Sequence, residues 1–270
     1  MELFFSLSGF LFFYTTQKKF KIKSLLKKKT IRLLIPFLLI GLFYLIPIRF
    51  IANYPPYEST SLIRIIYSFL TVNDCGHLWF LPTLLGIFII ATVLIRMTKS
   101  KQSTLICIVL MLYILSPYLS SFLLITSTKY LFFFFMGYFI NQYGKQIFSI
   151  KAIYHGLATL GILLIAYVLI FHNENRVVTT FTSITIIASL YYFMPHRTNR
   201  FILWLDKNSF GIYLFHSPLM YIIMNKFSII APPAILVPMN LIFGIGGSLI
   251  ITYFLRAIKC SFVIGEKNDR

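Results

Sequence analysis

Two histidines in apolar segments are the residues best suited to chemistry. His77 begins the segment HLWFLP, and His216 lies in the segment SFGIYLFHSP that ends at Pro218. Imidazole titrates near neutral pH and can take a proton from a hydroxyl group. The alternative for His77 is structural, because a His-Trp pair such as His77 and Trp79 often anchors a helix at the membrane surface. We predict His77 as the best base candidate and expect Trp79 to shape the site.

His216 also has two interpretations. A histidine at membrane depth needs a hydrogen-bond partner. Pro218 has no N–H to donate to the carbonyl of Leu214, which leaves a free acceptor one turn away. We therefore expect a structural hydrogen bond for His216, with catalysis as the alternative.

A basic run over residues 17–32 contains eight cations between two apolar segments. Anchoring to anionic lipid accounts for the run as a whole, because each such cation is worth about 1 kcal/mol near the membrane surface. Lys29 and Arg32 differ, since they directly precede an apolar segment and stand where a helix enters the bilayer. We predict that this pair clamps a phosphorylated cosubstrate.

The first apolar segment carries small and hydroxyl side chains in FFSLSGF, residues 4–10. Small residues and hydroxyls permit close packing between membrane helices, which is the structural interpretation. A polar group inside a membrane is also a functional candidate. We include Ser8 among the residues that shape a substrate site.

Composition determines the kind of elements that must position these residues. Of the 270 residues, 58% are hydrophobic and 12% are charged, with a mean hydropathy of +0.82. Soluble domains are about a quarter charged. We predict an all-α, polytopic bundle of membrane helices forming a single domain over residues 1–270.

Nine segments are long and apolar enough to be read as membrane helices, although the first and fifth are short. They are residues 3–16, 33–52, 78–95, 104–119, 129–143, 152–171, 179–194, 209–224 and 236–256. The cluster Asp206–Ser209 predicts a capped start for the eighth helix. The gap at 53–77 is the longest of those expected outside, and we predict a small lid there.

The charges of the gaps predict the topology. Twenty of the 25 cations lie in alternate gaps and in the tail that begins at Arg256. Short loops rich in Lys and Arg stay in the cytoplasm. The carboxyl terminus is thus expected inside and Met1 outside, so we expect a further helix upstream of Met1 to complete the topology.

Several other classes of function are disfavoured. The net charge of +18 is spread over gaps between helices rather than over one basic face, which argues against nucleic-acid binding. The three cysteines have no metal-ligand spacing, and we expect neither a zinc site nor a disulfide framework. Seven acidic residues give little support to ion coupling by carboxylates.

Four segments in this order resemble the membrane-bound acyltransferase family 3, which includes O-acetyltransferases of bacterial surface polysaccharides. They are Phe4-Phe5-x-x-Ser8-Gly9-Phe10, Lys29-x-x-Arg32-Leu33-x-x-Pro36, His77-Leu78-Trp79-Phe80-Leu81 and Ser209-Phe210-Gly211-Ile212-Tyr213-Leu214-x-His216-x-Pro218. Each is weak alone, but together they extend over almost the whole chain.

The resemblance implies a ten-helix protein of the bacterial cytoplasmic membrane. It implies transfer of an acyl group, most simply acetyl, from cytoplasmic acyl-coenzyme A to a hydroxyl of an envelope glycan or its lipid-linked precursor. It also assigns Lys29 and Arg32 to the donor site, with lysine where the family usually has arginine. The family's first helix, with an arginine and the principal catalytic histidine, would precede Met1, and without it we expect little activity.

The leading hypothesis is therefore a membrane acyltransferase with acyl-coenzyme A as its cosubstrate and no tightly bound cofactor. His77 and His216 are the catalytic candidates, Lys29 and Arg32 bind the donor, and Ser8 and Trp79 contact the substrate. Two alternatives stay open: a transporter or flippase of a glycan intermediate, and an inactive, truncated acyltransferase.

Overall fold

The computed structural model describes residues 1–16, 22–98, 101–147, 151–171, 175–193, 199–227 and 230–266. Part of the predicted basic run, residues 17–21 with Lys18, Lys19 and Lys21, lies outside these ranges. Within the described ranges, the regular structure is helical and includes no strand. The predicted all-α bundle is therefore confirmed.

The α-helices follow one another with short connections. They are α1 (Glu2–Thr16), α2 (Ile22–Ile40), α3 (Ile46–Ile51), α4 (Pro55–Glu58), α5 (Leu62–Leu70), α6 (Phe80–Met97), α7 (Gln102–Leu115), α8 (Phe122–Ile147), α9 (Lys151–Phe171), α10 (Arg176–Phe193), α11 (Arg200–Phe227) and α12 (Pro233–Ala257). Short 3-10 turns lie at Gly76–Trp79, Ser116–Tyr118 and Ser261–Ile264. Each of the nine predicted segments falls on a helix.

Five helical stretches in the described part of the chain are long and apolar enough to cross a membrane, by length and composition. They are Ser24–Ile51, Gly76–Met97, Phe122–Gly144, Arg176–Phe193 and Pro233–Ala257. Three shorter apolar helices lie at Glu2–Tyr14, Gln102–Tyr118 and His155–Ile165. The crossing of nine segments and the sidedness of the gaps stay predictions.

One predicted boundary is wrong. The Asp206–Ser209 cluster lies inside α11 rather than at its start. The helix begins at Arg200, where the side-chain oxygen of Asn199 accepts a hydrogen bond from the N–H of Ile202 at 2.8 Å, as an N-cap residue does. Asn208 is completely buried and donates to the carbonyl of Trp204. Tertiary contacts thus occupy a side chain that sequence alone assigned to capping.

The chain divides into two compact units, which leaves the predicted single domain as a prediction. The first unit comprises Met1–Ile22 and Ile87–Arg197. Within it, α1 packs against α8 at two glycines: a Cβ on Gly9 would lie 1.8 Å from the carbonyl oxygen of Phe134, and one on Gly137 equally close to that of Ser6. Close packing is thus the role of the small residues around Ser6 and Gly9.

The second unit comprises Lys23–Gly86 and Thr198–Arg270. Its first helical column runs from α2 through a π-helical turn, Gly41–Leu45, into α3. Pro47 cannot donate to the carbonyl of Phe43. The N–H of Ile46 donates to the carbonyl of Gly41, five residues earlier rather than four, which widens the helical turn by one residue. The column therefore stays continuous as far as Arg49.

The predicted lid at 53–77 is folded as α4, α5 and the turn that follows them. Phe69 of α5 is completely buried, and its ring stacks on Phe37 with 4.6 Å between centroids. Gly41 permits this contact, because a Cβ there would lie 1.8 Å from Cζ of Phe69. The segment is thus packed against the helical column of its own unit.

Candidate functional site

His77 lies in the 3-10 turn Gly76–Trp79 that precedes α6. Its Nε2 is 3.1 Å from the carbonyl oxygen of Leu214 in α11. A carbonyl can only accept, so Nε2 carries the proton of this bond. Leu214 is the residue whose carbonyl Pro218 leaves free. The position of Pro218 predicted this free acceptor, but its assignment to His216 is wrong, because the carbonyl binds His77.

A second hydrogen bond fixes the same turn to α11. The hydroxyl of Tyr213 donates to the backbone carbonyl of His77 at 2.6 Å. The two rings pack edge to face with 5.6 Å between centroids. Neighbouring residues of α11, Tyr213 and Leu214, therefore hold the backbone and the ring of His77 respectively.

The other ring nitrogen of His77 has a different environment. Nδ1 is buried and has no hydrogen-bond partner among the described residues. In the neutral imidazole, a proton on Nε2 leaves a lone pair on Nδ1. Leaving a buried polar atom unpaired costs about 1–3 kcal/mol, so its retention calls for an explanation. One explanation is that Nδ1 accepts a proton during a reaction.

His216 lies beside His77, with 5.3 Å between the ring centroids and 70° between the ring planes. Its Nδ1 lies 3.0 Å from the carbonyl of Ile212 and 2.9 Å from that of Tyr213, both in its own helix. Nδ1 therefore donates to the preceding turn of α11. This bond agrees with the structural interpretation, and the catalytic role of His216 stays a prediction.

The two predicted substrate-contacting residues lie in different units. Trp79 ends the turn that carries His77 and is half-buried. Ser8 belongs to the first unit, and its hydroxyl donates to the carbonyl of Phe4 in its own helix at 2.9 Å. Both substrate roles stay predictions.

The second unit also contains a cavity of about 610 Å³, which we call the basic cavity. Its lining residues come from α2, α11 and the carboxyl-terminal turn: Lys28, Ile31, Arg32, Lys207, Phe262, Gly265 and Glu266. Arg32 thus lines this cavity, and its donor-binding role stays a prediction. Lys29 is half-buried and is not in this lining. Lys28, four residues before Arg32 on the same helix face, is the lysine of α2 that lines the cavity with it.

The carboxyl-terminal turn is tied to α11 and α12 by Arg256. Its guanidinium donates to both carboxylate oxygens of Glu266, at 2.9 and 2.6 Å. It also donates to the side chain of Asn208 at 2.8 Å and to the carbonyl of Lys207 at 2.9 Å. Bidentate pairs of this kind fix geometry as well as charge. Lys207 and Glu266 are therefore held at the cavity, although no motif in the sequence marked them.

The same turn approaches Arg32 closely. Gly265 has φ of +67°, which favours glycine. A Cβ there would lie 2.6 Å from the carbonyl oxygen of Arg32. Pro36, four residues later, has no N–H to donate to that carbonyl. The wall of the basic cavity thus packs directly on the backbone of Arg32.

Arg49, at the other end of the helical column, was not marked by sequence analysis. It is 2% exposed, and its Nη1 donates to Asp74 Oδ1 at 2.8 Å and to the hydroxyl of Tyr57 at 3.2 Å. Its guanidinium carbon lies 4.5 Å from the ring centroid of Tyr54 and 5.7 Å from those of Tyr57 and Tyr221. Burial of a charge costs several kcal/mol unless it is paired. One carboxylate and three aromatic faces offset that cost.

Comparison with known proteins gives one result. A family model described as an acyltransferase domain, that of acyltransferase family 3, matches residues 1–257. Neither a curated protein nor a solved structure matches the chain. The match extends over both units and over all four segments that carry the resemblance. The chain therefore belongs to the membrane-bound acyltransferase family 3.

Proposed function

We propose that this membrane acyltransferase transfers an acetyl group from acetyl-coenzyme A to a hydroxyl of an envelope glycan in the bacterial cytoplasmic membrane. The observation that carries the donor assignment is the basic cavity. Its cations Lys28, Arg32 and Lys207 converge from two helices on a volume of about 610 Å³. Small-molecule sites usually measure about 300–1,000 Å³. Several cations at one cavity suit a polyphosphate better than a neutral solute.

Arg32 and Lys207 would divide the recognition of the donor. Guanidinium presents a planar fork that binds phosphate through two parallel hydrogen bonds, whereas ammonium acts as a point charge. Arg32 is exposed toward the cavity while Gly265 packs on its backbone. Its guanidinium carbon lies 6.0 Å from the ring centroid of Phe210, and its exposed N–H groups would bind the donor phosphate.

His77 would supply the base. The acceptor hydroxyl gives its proton to Nδ1, its oxygen forms a C–O bond with the acyl carbonyl, and the carbon–sulfur bond of the thioester breaks. The proton then passes to the departing sulfur, so coenzyme A leaves as a thiol and an ester is the other product. The bond from Nε2 to Leu214 stabilises the imidazolium formed in between, because a carbonyl accepts more strongly from a cation.

Binding of the donor is tested with the purified chain in detergent and radiolabelled acetyl-coenzyme A. We expect Arg32→Ala to weaken binding about tenfold or more, as is typical for loss of a charged hydrogen bond. Lys101→Ala is the matched control, since Lys101 is an exposed cation of the first unit. A wild-type protein that binds no acyl-coenzyme A would contradict the donor assignment.

Transfer is tested in cells that express residues 1–270 and, in parallel, a version extended upstream, by measuring base-labile acetyl esters in the envelope glycan; the variants are made in whichever form is active. We expect His77→Ala to lower the esters by about 10²-fold or more, within the usual contribution of a general base. His155→Ala serves as the control, because His155 is exposed on α9. Undiminished esters with His77→Ala would exclude His77 as the base.

A further inference from the structure

The turn that carries His77 is held from two sides, and only one of them is α11. On the other side, Arg49 pairs with Asp74, three residues before the histidine. Gly76, directly before His77, has φ of +53°, and a Cβ there would lie 2.8 Å from Nη2 of Arg49. We call residues 74–79 the histidine turn. The guanidinium contacts this turn at both Asp74 and Gly76.

Arg49 itself has little freedom to move. Tyr54, Tyr57 and Tyr221 surround the guanidinium, and the side chain is 2% exposed. Among these three rings the planar guanidinium keeps one orientation. An ammonium group has no planar fork with which to contact both Asp74 and Gly76. The position of Asp74 and Gly76 is thus set by a group that is fixed elsewhere, at the end of α3.

Two buried polar atoms in this region have no hydrogen-bond partner among the described residues: Nε of Arg49 and Nδ1 of His77. One is a donor and the other, in the neutral ring, an acceptor. Neither is needed to hold the turn, because Nη1 and Nε2 make the holding bonds. Unpaired buried polar atoms are few in native proteins, and two of them lie at the two ends of this one contact.

We propose that Arg49 is a positioning residue for His77: through Asp74 and Gly76 it clamps the histidine turn against α11, so that Nε2 stays on Leu214 and Nδ1 stays open to the acceptor hydroxyl. This inference rests on the proposed role of His77 as the base. Arg49 does not take part in proton transfer. Without the clamp, the bond from the N–H of Asp74 to Ser68 and the two bonds to α11 remain, but the turn is less constrained and the ring loses its alignment.

Cys75 lies inside the histidine turn, so the reactivity of its native thiol measures whether the turn stays clamped. It is 2% exposed, and burial together with the neighbouring Asp74 carboxylate raises the pKa of its thiol to about 12. Only the thiolate reacts with maleimides, so the thiol of the clamped turn should be modified slowly at pH 8. Loosening of the turn should accelerate the reaction.

The experiment compares Arg49→Lys and Asp74→Asn with the wild type, and Arg64→Lys is the matched control because Arg64 is exposed on α5. Transfer of acetyl from acetyl-coenzyme A into the membrane glycan gives kcat and KM. Modification of Cys75 by N-ethylmaleimide is followed by mass spectrometry. Binding of acetyl-coenzyme A confirms that each variant is folded.

We expect Arg49→Lys to lower kcat about tenfold to a hundredfold, as small misplacements of a reacting group do, with the KM for acetyl-coenzyme A unchanged. Cys75 should react at least about tenfold faster through local opening. In the double variant with His77→Ala, Arg49→Lys should cause no further loss, because both changes act through one group.

Three results would contradict the clamp, the positioning role of Arg49 or the base assignment of His77. Unchanged Cys75 reactivity in both Arg49→Lys and Asp74→Asn would overturn the clamp. Losses of activity that multiply in the double variant would show that Arg49 acts independently of His77 and would overturn its positioning role. If His77→Ala keeps full activity, the base assignment fails, while the Cys75 rates still decide whether Arg49 holds the turn.

Discussion

The helical column formed by α2 and α3 carries an arginine near each end, in opposite environments. Arg32 is exposed at the basic cavity, beside Lys28 and Lys207. Arg49 is buried, and a carboxylate and three tyrosine rings surround it. Seventeen residues of helix separate them, or about 25 Å along the axis.

The difference between the two ends corresponds to two uses of a positive charge. An exposed cation keeps its donors available and binds an anionic ligand reversibly, at a strength that salt can weaken. A buried cation has been desolvated and paired on folding, so it can fix the geometry of its neighbours but not exchange partners cheaply. Arg32 therefore suits binding, and Arg49 suits positioning.

The two ends nevertheless use the same backbone devices. At each, a proline lacks the N–H that would bond the carbonyl four residues before it, that of Arg32 for Pro36 and that of Leu214 for Pro218. At each, a glycine with positive φ packs against an arginine, Gly265 on Arg32 and Gly76 on Arg49. The contrast thus comes from side-chain burial, because the local backbone motifs are alike.

The largest expected difference concerns stability. Asp74→Asn leaves the charge of Arg49 buried without its counterion, and we expect a loss of about 3 kcal/mol in the free energy of unfolding, the lower end for buried pairs. The lower end applies because the Asp74 side chain is 32% exposed. Arg32→Met should change stability by less than about 0.5 kcal/mol, as exposed substitutions do. Thermal unfolding of the purified proteins in one detergent measures both; equal shifts would remove the contrast.

The next largest effects are expected at the two glycines with positive φ, Gly76 and Gly265. Gly76→Ala and Gly265→Ala should each cost about 1–2 kcal/mol, because an L-residue at positive φ is strained. Their functional effects should separate: Gly76→Ala lowers the rate of acyl transfer, and Gly265→Ala weakens binding of acetyl-coenzyme A. Gly156→Ala is the control, since a Cβ there meets no atom within 4 Å. Loss of donor binding by Gly76→Ala would contradict the separation of the two sites.

The smallest effect distinguishes neighbouring lysines at the basic cavity. Lys28 lines the cavity with Arg32, whereas Lys29 does not, so Lys28→Ala should weaken binding of acetyl-coenzyme A more than Lys29→Ala. We expect about a tenfold loss for Lys28→Ala, the equivalent of about 1.4 kcal/mol. Equilibrium binding at low salt measures it, and high salt should reduce the difference. A larger effect of Lys29→Ala would support the sequence-based assignment instead.

Much of the fold was predictable because hydrocarbon restricts the backbone strongly. Long apolar segments in a membrane must form helices, and all nine predicted segments are helical. The start of α11 was not predictable from its composition. Asp206 and Asn208 have the residue types of a helix cap, but tertiary contacts with Arg256 bury Asn208 within the helix.

The site was predictable only where one local motif contained the information. Pro218 predicted a free carbonyl at Leu214, and that carbonyl is indeed engaged. Its partner was misassigned, because His77 is distant in sequence and only folding brings it to α11. Lys207 and Glu266 at the cavity, and Asp74 at Arg49, escaped notice for the same reason.

By itself, the sequence determined an all-helical membrane protein and its family. Periodicity, hydropathy and proline positions are local properties, and the bilayer converts them directly into helices. Only the tertiary structure decided which nitrogen of His77 is held, which lysine accompanies Arg32 and that Arg49 is buried. Those outcomes depend on contacts between helices far apart in the chain, whose energies no single segment contains.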